Sequence, residues 1–281
     1  MGKHTIDTEL IERFKTMLRE NEKSPATIQK YVREIQRFGG FLRDQEITKE
    51  NLVTYREHLQ TEYRSQTING KLAAVNSFLD FIGMSMQHLK YQRVQRQAFA
   101  EEERELTQGE YERLLKAAKR RGNERLYYLM LTVAGTGIRI SELKFITTEA
   151  AARGQAEISL KGKNRIVLLP RELCVRLLRY AGKQGIHTGC IFCTRNGKPV
   201  DRSNVCHDMK KLCSDAGVAP GKVFPHNFRH LFARAFYRIE KDLARLADIL
   251  GHSSIETTRI YTKESARTYE RILNRMRLFQ T

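Results

Sequence analysis

The fold of this chain is decided by the stretch Phe224-Pro225-His226-Asn227-Phe228-Arg229-His230 and the two segments that follow it, Leu250-Gly251-His252 and Arg259-Ile260-Tyr261. Apolar residues at helical spacing follow the first segment, and His226 and Arg229 lie off that apolar face, in the first helical turn. Unpaired backbone N–H groups and the helix dipole favour an anion there. A later helix should stop at Gly251, which leaves His252 just past its end. The stretch therefore predicts an anion site beside the phenol of Tyr261.

Two more helices are expected on the C-terminal side of His252. Ser253 and Glu256 have the spacing of a capping box, which predicts a short helix that ends at Tyr261. A last amphipathic helix is expected over residues 265–278. Because the chain has 11 tyrosines, only the position of Tyr261 after His252 and near the chain end distinguishes it from a packing residue.

Further candidate polar residues lie well upstream of this stretch. A long apolar helix ends at Gly135-Thr136-Gly137, and a new helix is expected to begin near Ile138. Arg139 and Glu142 then share one helix face, so the carboxylate can pair with the guanidinium or steady another polar group. The glycines do not form a dinucleotide-binding fingerprint, because Ile140 occupies the third glycine position and no strand precedes them.

A basic β-hairpin is the clearest strand prediction. Residues 157–160 alternate between polar and apolar, residues 161–164 have the composition of a turn, and residues 165–169 form the return strand. Lys161 and Lys163 make the tip basic. A short strand is also expected at residues 191–192, and a helix at residues 204–216.

Length and charge indicate two domains and a polyanionic partner. A chain of 281 residues exceeds one average domain. The formal charge of +18 favours nucleic acid, because an excess of Lys and Arg attracts a polyanion whatever the fold. A membrane surface is the competing anion, but the sequence has no apolar run near ~18 residues, no lipidation signal and no signal-peptide pattern. We therefore expect a soluble, cytoplasmic protein.

The cysteines are expected to be reduced core residues rather than metal ligands. Their odd number, 5, does not suit a disulfide framework. Cys190 and Cys193 fall in an expected strand without the turn residues of a zinc knuckle, and Cys206 and Cys213 fall in an expected helix. No P-loop, acidic metal cluster or HExxH motif occurs, so neither a cofactor nor a metal is expected.

The N-terminal part of the chain has the pattern of a small helical bundle. Residues 7–91 contain four amphipathic helices with short links. Between Gln92 and Glu105 the apolar residues no longer recur at helical spacing, which indicates a linker. Thr107 and Glu110 have the spacing of a capping box at the next helix start. The expected organisation is a first domain over residues 1–91, a linker over 92–105 and a second domain over 106–281.

Together these motifs resemble the tyrosine recombinases, the phage-integrase and Xer-like enzymes of site-specific DNA recombination. The resemblance covers nearly the whole chain. It implies a mainly α fold, with a four-helix, SAM-like core-binding domain that binds DNA and an α-rich catalytic domain with a small antiparallel β-hairpin. The positions that match the family's catalytic residues, in order and in context, are Arg139, Glu142, Lys161, His226, Arg229, His252 and Tyr261.

The hairpin departs from the family's pattern. Such proteins usually have Lys-Gly-x-Lys-x-Arg, whereas Lys161-Gly162-Lys163-Asn164-Arg165 is one residue shorter. Lys163 therefore competes with Lys161 for the part of the catalytic lysine, and strand alternation does not separate two residues that differ by two. Lys161 is preferred because it lies where the first strand is expected to end.

The resemblance also implies a chemistry that uses neither metal nor ATP. Tyr261 would attack the scissile phosphate, which leaves a 3′-phosphotyrosyl linkage and a free 5′-hydroxyl. The other matched residues would take these roles: phosphate binding by Arg139 and Arg229, general base His226, hydrogen-bond donor His252, general acid Lys161, and orientation of His226 or Arg139 by Glu142.

Two other functions and one other nucleophile remain open at this point. A type IB topoisomerase shares the nick-and-reseal chemistry, and a catalytically silent DNA-binding protein could use the same scaffold. Tyr269 is the alternative nucleophile, while His230 is interpreted as structural. The core-binding pattern begins almost at Met1, so no arm-binding domain is expected. The resemblance implies a recombinase that acts on two short double-stranded DNA sites as a homotetramer joined through its C-terminal helices.

Overall fold

The chain forms two compact units, residues 1–96 and residues 97–281. The described part of the chain in this computed structural model comprises residues 6–43, 45–94, 102–160, 163–194, 196–252, 254–262 and 266–276. Each unit has its own hydrophobic core. The described residues are mainly helical and include one two-stranded antiparallel sheet, which confirms the predicted fold class. Within them, no helix combines the length and the apolarity of a membrane span.

The first unit is a bundle of four helices, as predicted: α1 (Thr8–Glu20), α2 (Pro25–Leu42), α3 (Lys49–Glu62) and α4 (Ser65–Phe81). Side chains of Asp7, Ser24 and Thr48 each accept a backbone N–H in the first turn of the helix that follows. These bonds satisfy donors that a helix start leaves unpaired. The core between the helices is aromatic and aliphatic, with fully buried residues that include Phe14, Ile35, Phe38, Leu52, Leu72 and Phe78.

Hydrogen bonds to side chains fix both ends of the predicted linker region. In the first unit, the Asn69 side chain bonds both the N–H and the carbonyl of Gln92 at 2.7 and 2.9 Å. In the second unit, Asn227 donates to the Arg104 carbonyl at 2.8 Å. The linker over residues 92–105 stays a prediction, because residues 95–101 lie outside the described part.

A buried ion pair joins α2 to α4. Lys71 Nζ lies 2.6 Å from Glu34 Oε2, and the two side chains are 6% and 4% exposed. Burial alone would raise the pKa of Glu34, but the bond from Lys71 and the charges of Arg37 and Arg33 lower it. Because the Glu34 carboxylate stays charged in the core, the stability of the first unit depends on a cation that remains paired with it.

We expect Lys71→Met to lower the free energy of unfolding by about 3 kcal/mol, since it leaves a buried carboxylate without its closest cation. Urea unfolding of the full chain, followed by circular dichroism, measures the change. Lys15→Met is the matched control, because the pair between Lys15 and Glu12 is exposed and should contribute less than ~1 kcal/mol. Equal decreases in the free energy of unfolding for the two variants would contradict the expected difference between the buried and the exposed ion pair.

The second unit is built around α6 and α11, which pack directly on each other. Its helices are α5 (Gln108–Arg120), α6 (Glu124–Thr136), α7 (Thr148–Arg153), α8 (Arg171–Lys183), α9 (Arg202–Lys211), α10 (Cys213–Ala216), α11 (Pro225–Glu240), α12 (Leu243–Leu250), α13 (Ile255–Thr258) and α14 (Ala266–Arg275). The predicted capping box of Thr107 and Glu110 at the start of α5 is confirmed. Cys213 is buried in the core of this unit, as predicted, and so is Cys174, whereas Cys190, Cys193 and Cys206, which were also expected in the core, are only partly buried.

The hairpin is formed by β1 (Gln155–Leu160) and β2 (Lys163–Leu168), which pair antiparallel with Leu160 opposite Lys163. The predicted four-residue turn over residues 161–164 was therefore too long, because Lys163 and Asn164 already belong to β2. Lys161, the preferred catalytic lysine, and Gly162 lie outside the described residues.

Three other predictions for this unit were wrong in detail. The helix expected from Ile138 is a short 3-10 helix, Ile140–Phe145, preceded by an extended Arg139. Residues 191–192 are not a strand; isolated bridges pair Cys190 with Thr147 and Cys193 with Pro199. The helix expected over residues 204–216 begins earlier and divides at Leu212 into α9 and α10. In each case tertiary packing overrode a local pattern.

Candidate active site

The C-terminal end of α12 organises the candidate site. Its last carbonyls each accept a hydrogen bond from a different arginine: Ile249 from Arg165, Leu250 from Arg229 and Gly251 from Arg139. The final carbonyls of a helix lack partners within the helix, and the helix dipole gives them partial negative charge. Guanidinium groups from three separate segments therefore converge on one helix end.

Glycine is required where α12 ends. Gly251 has φ +62°, the left-handed conformation that closes many helices. A Cβ at this position would overlap the side chain of Arg165. The turn thus lets Arg165 lie against the backbone and places His252 immediately after the helix, as predicted.

Arg139 and Glu142 form a paired unit at the start of the 3-10 helix Ile140–Phe145. Glu142 Oε1 accepts from Arg139 Nη1 at 3.1 Å, and Oε2 accepts from the Arg139 backbone N–H at 2.7 Å. Glu142 is only 2% exposed, whereas the Arg139 side chain is 40% exposed. The carboxylate therefore fixes the backbone and the guanidinium of Arg139 and leaves that guanidinium open to solvent. Of the two predicted partners of Glu142, Arg139 is the one it binds.

Arg229 is buried, although its position was predicted to lie off the apolar face of α11. It is 1% exposed, and its guanidinium bridges the Gly137 carbonyl at 2.5 Å and the Leu250 carbonyl at 2.7 Å. Burial lowers the pKa of Arg229 to about 10, with a further contribution from Arg139 and an opposing one from Tyr261. The group therefore remains charged at neutral pH, and α6 and α12 are cross-linked through it.

His252 lies between Arg229 and a buried threonine. Arg229 Nη2 is 2.9 Å from His252 Nε2, and because a guanidinium only donates, Nε2 accepts this bond. Nδ1 is 2.8 Å from the hydroxyl of Thr258, which is fully buried in α13. Since a hydroxyl both donates and accepts, Thr258 is compatible with either tautomer of the ring.

Tyr261 is packed among imidazole rings. It is 6% exposed, its ring meets that of His230 edge-on at 4.9 Å, and it stacks on that of His252 at 5.9 Å. The ring of His226 lies 4.7 Å from that of His230. His226 itself is exposed in the first turn of α11. The three histidines and the phenol therefore form one continuous group beside the arginines.

Burial lowers the pKa of His252 to about 4 and the pKa of His230 to about 3. The next causes are the charge of Arg229 for His252 and that of His226 for His230. Desolvation of its ring, followed by the charges of Arg229 and Arg139, also lowers the pKa of His226, although part of the residue is open to solvent. All three imidazoles are consequently neutral at pH 7, where an unfolded histidine with a pKa of about 6.5 is also mostly neutral.

Stability should therefore decrease as the pH falls from 7 to 5. In this window the unfolded chain binds protons at His230 and His252 and the folded chain does not, so protonation favours unfolding. We expect His230→Asn to make the dependence shallower, because it removes one of the linked groups. Urea midpoints at pH 7, 6 and 5 for both proteins test this, and identical pH dependence would contradict it.

The structure brings together most of the residues predicted from the sequence. Arg139, Glu142, Arg229, His252 and Tyr261 contact one another directly or through one intermediate group. His226 joins them through His230. Ser253, predicted to cap the following helix, lies outside the described residues, and the helix start is capped instead by Ser254, which accepts from the Glu256 N–H.

Two contributors were missed by sequence reasoning. Arg165 was considered only as part of the hairpin pattern, yet its Nη2 lies 2.8 Å from Glu142 Oε2. Thr258 was not considered, although it is the partner of His252. The sequence signal that could have identified Arg165 was its position two residues after Lys163, next to the basic tip of the hairpin. For Thr258 there was none, because its role follows from the turn at Gly251.

Models of two protein families match the chain. The Phage integrase family matches residues 104–267, and the Phage integrase N-terminal SAM-like domain matches residues 11–83. The tyrosine recombinase XerA of Thermococcus kodakarensis is 28% identical over 269 residues, which cover 91% of this chain and 90% of the relative. XerA of Pyrococcus furiosus is 25% identical over 291 residues, which cover 100% and 98%.

Solved structures share the fold. XerH site-specific recombinase bound to its difH substrate has a TM-score of 0.71 at 18% identity and covers 99% of this chain and 86% of its own. A lambda integrase tetramer bound to a Holliday junction has a TM-score of 0.72 at 15% identity, with coverage of 90% and 76%. Since the family model spans most of the second unit and XerA relatives align over nearly all of the chain, this chain belongs to the phage integrase family and is a tyrosine-type site-specific DNA recombinase.

Proposed function

We propose that this recombinase cuts and rejoins DNA strands through a 3′-phosphotyrosyl intermediate on Tyr261. The observation that carries the proposal is the convergence of Arg139 and Arg229 on the end of α12, with Tyr261 packed beside them. A phosphate that approached the exposed guanidinium of Arg139 would meet a cationic region next to a phenol.

The nucleophile needs help at neutral pH. A free tyrosine has a pKa of ~10, so about one phenol in a thousand is ionised at pH 7. In the proposed step the Tyr261 oxygen bonds to phosphorus, the bond to the 5′ oxygen breaks, and the phenol proton passes to His226. The lowered pKa of His226 supports this assignment, because a neutral imidazole can accept a proton.

The arginines stabilise the transition state. Negative charge accumulates on the nonbridging oxygens of the five-coordinate phosphorus, and guanidiniums that are fixed beforehand can bind it without a metal. Arg229 is held by two backbone carbonyls and Arg139 by Glu142, so neither has to be reoriented during the reaction. His252 would donate to the same phosphate from Nε2 once that nitrogen releases the bond it accepts from Arg229 and the ring takes the tautomer whose Nδ1 accepts from the Thr258 hydroxyl.

The leaving 5′ oxygen requires a proton, and a lysine at the hairpin tip is the proposed general acid. Lys161 is our first choice and Lys163 the second. Alanine variants of each lysine, compared for strand cleavage, would identify the donor.

We further propose that the protein acts as a homotetramer on two double-stranded DNA sites. The first unit would bind the duplex as a core-binding domain, and α14 would dock on a neighbouring protomer. The exposure of Leu273 and Met276, at 58% and 52%, supports docking of this helix. A chain that ends after Lys263 should then bind one site but fail to form paired-site complexes on native gels.

Trapping of the covalent intermediate tests the proposal. Nicked duplexes that tile the DNA flanking its own gene would be incubated with the protein, so that a short 5′-hydroxyl fragment diffuses away after cleavage. We expect a protein–DNA adduct on denaturing gels that carries a label placed in the fragment on the 5′ side of the cut, because that fragment ends in the 3′-phosphate joined to Tyr261. An adduct with the fragment on the 3′ side of the cut, which should leave with a 5′-hydroxyl, or relaxation of plasmids without any recombinant product from two sites, would contradict the proposed recombination.

A further inference from the structure

We infer that Arg165 is a positioning residue of the phosphate site, which acts through Glu142 on Arg139. The inference rests on the proposed function, because it takes Arg139 to be the group that binds the scissile phosphate. Arg165 lies on β2, two residues after Lys163, and its guanidinium contacts both Glu142 and the end of α12.

The carboxylate of Glu142 is shared by two arginines. Its Oε1 binds Arg139 Nη1 at 3.1 Å, and its Oε2 binds Arg165 Nη2 at 2.8 Å as well as the Arg139 N–H at 2.7 Å. Glu142 and Arg165 have side chains that are 3% and 14% exposed. This is a desolvated ion pair, so the removal of one partner has a much larger effect than at a solvent-exposed pair.

Charge balance explains why the second arginine matters. Glu142 and Arg139 alone would form a neutral pair, and the buried carboxylate would keep the Arg139 guanidinium bound to itself rather than to a phosphate. With Arg165 present, the carboxylate has a second cation, and the three groups together carry a net charge of +1. Arg139, whose side chain is 40% exposed, can then direct its remaining N–H groups to a phosphate.

Arg165 also braces the turn that carries His252. Its guanidinium donates to the Ile249 carbonyl, and its side chain lies against the backbone of Gly251. Arg139 donates to the Gly251 carbonyl at 3.4 Å. Both arginines therefore hold the same helix end, and a shift of Arg165 would be transmitted to Arg139 by two routes.

Arg165→Gln should slow single-turnover cleavage by about tenfold to hundredfold at saturating DNA, a range taken from the loss of partners that orient metal ligands. Arg165→Lys, which keeps the charge without the forked geometry, should lose less. Arg176→Gln removes an exposed arginine that pairs with Glu172 on α8 and should cleave like the wild type. Urea unfolding of each variant shows whether it is folded, and Arg165→Lys serves as the test if Arg165→Gln is not.

A double-mutant cycle separates positioning from general support of the fold. If Arg165 acts through Arg139, then Arg165→Gln should cause almost no further loss when Arg139 has already been replaced by glutamine. Additive losses would overturn the inference. In that case the double variant would cleave more slowly than Arg139→Gln by the same factor by which Arg165→Gln is slower than the wild type. An Arg165→Gln variant that cleaves within twofold of the wild type would overturn the inference as well.

A neutral substrate gives a second, independent readout. In a methylphosphonate duplex, one nonbridging oxygen of the scissile group is replaced by methyl, so less negative charge needs to be balanced in the transition state. The loss caused by Arg165→Gln should shrink to less than about threefold on this substrate, relative to wild type. An undiminished loss would contradict action on the phosphate. Cleavage of the ordinary phosphate by wild type tests the proposed function separately.

Discussion

Tyr261→Phe should abolish the covalent adduct and all strand cleavage while DNA binding is retained. Removal of a covalent nucleophile lowers the rate by on the order of 10⁶-fold in well-studied hydrolases, which is below detection here. The substitution removes one hydroxyl and keeps the ring that packs against His230 and His252. The fold should therefore persist, and the effect should be confined to chemistry.

The matched control for this result is Tyr269→Phe, at the alternative nucleophile. It should form the adduct at the wild-type rate. Electrophoretic mobility shift on the same duplex measures binding for both variants, and denaturing gels measure the adduct. If Tyr261→Phe still formed the adduct and Tyr269→Phe did not, the assignment of the nucleophile would be wrong.

Arg229→Gln should lower the cleavage rate by about 10²–10³-fold at saturating DNA, the range found when one preorganised donor to a transition-state oxyanion is removed. It should also lower the free energy of unfolding by about 1–3 kcal/mol. The physical reason is that Gly137 and Leu250 would lose the donor that bridges their buried carbonyls. Single-turnover kinetics and urea unfolding measure the two effects.

Two comparisons sharpen the test of Arg229. Arg229→Lys keeps a charge at this position but cannot bridge two carbonyls with a planar fork, so it should remain strongly impaired. Arg238→Gln removes an exposed arginine near the end of the same helix and should behave like the wild type. Cleavage by Arg229→Gln within threefold of the wild type would show that this buried guanidinium does not act on the phosphate.

Motif order and helical periodicity were sufficient to predict most of the architecture. The four helices of the first unit follow from amphipathic spacing, and the first three begin at short polar caps. The turn at Gly251 follows from the glycine and from the end of the apolar pattern. These features are local, so the sequence carries them directly.

Contacts between distant segments were not predictable from pattern. The burial of Arg229 is an example, because helical periodicity placed it off the apolar face, whereas its actual partners are carbonyls at the ends of α6 and α12. Arg165 was missed for the same reason. Its partners lie on the 3-10 helix Ile140–Phe145 and on α12, and nothing in the order of residues indicates that these two segments meet β2.

Identification of the residue that bears the DNA tests the central claim most directly. The adduct formed on a nicked duplex would be digested with trypsin and nuclease and analysed by tandem mass spectrometry. Cleavage after Arg259 and Lys263 releases the peptide of residues 260–263, in which Tyr261 is the only tyrosine. We predict that this peptide carries the nucleotide remnant through its tyrosine oxygen. A remnant on any other residue would contradict the assigned active site.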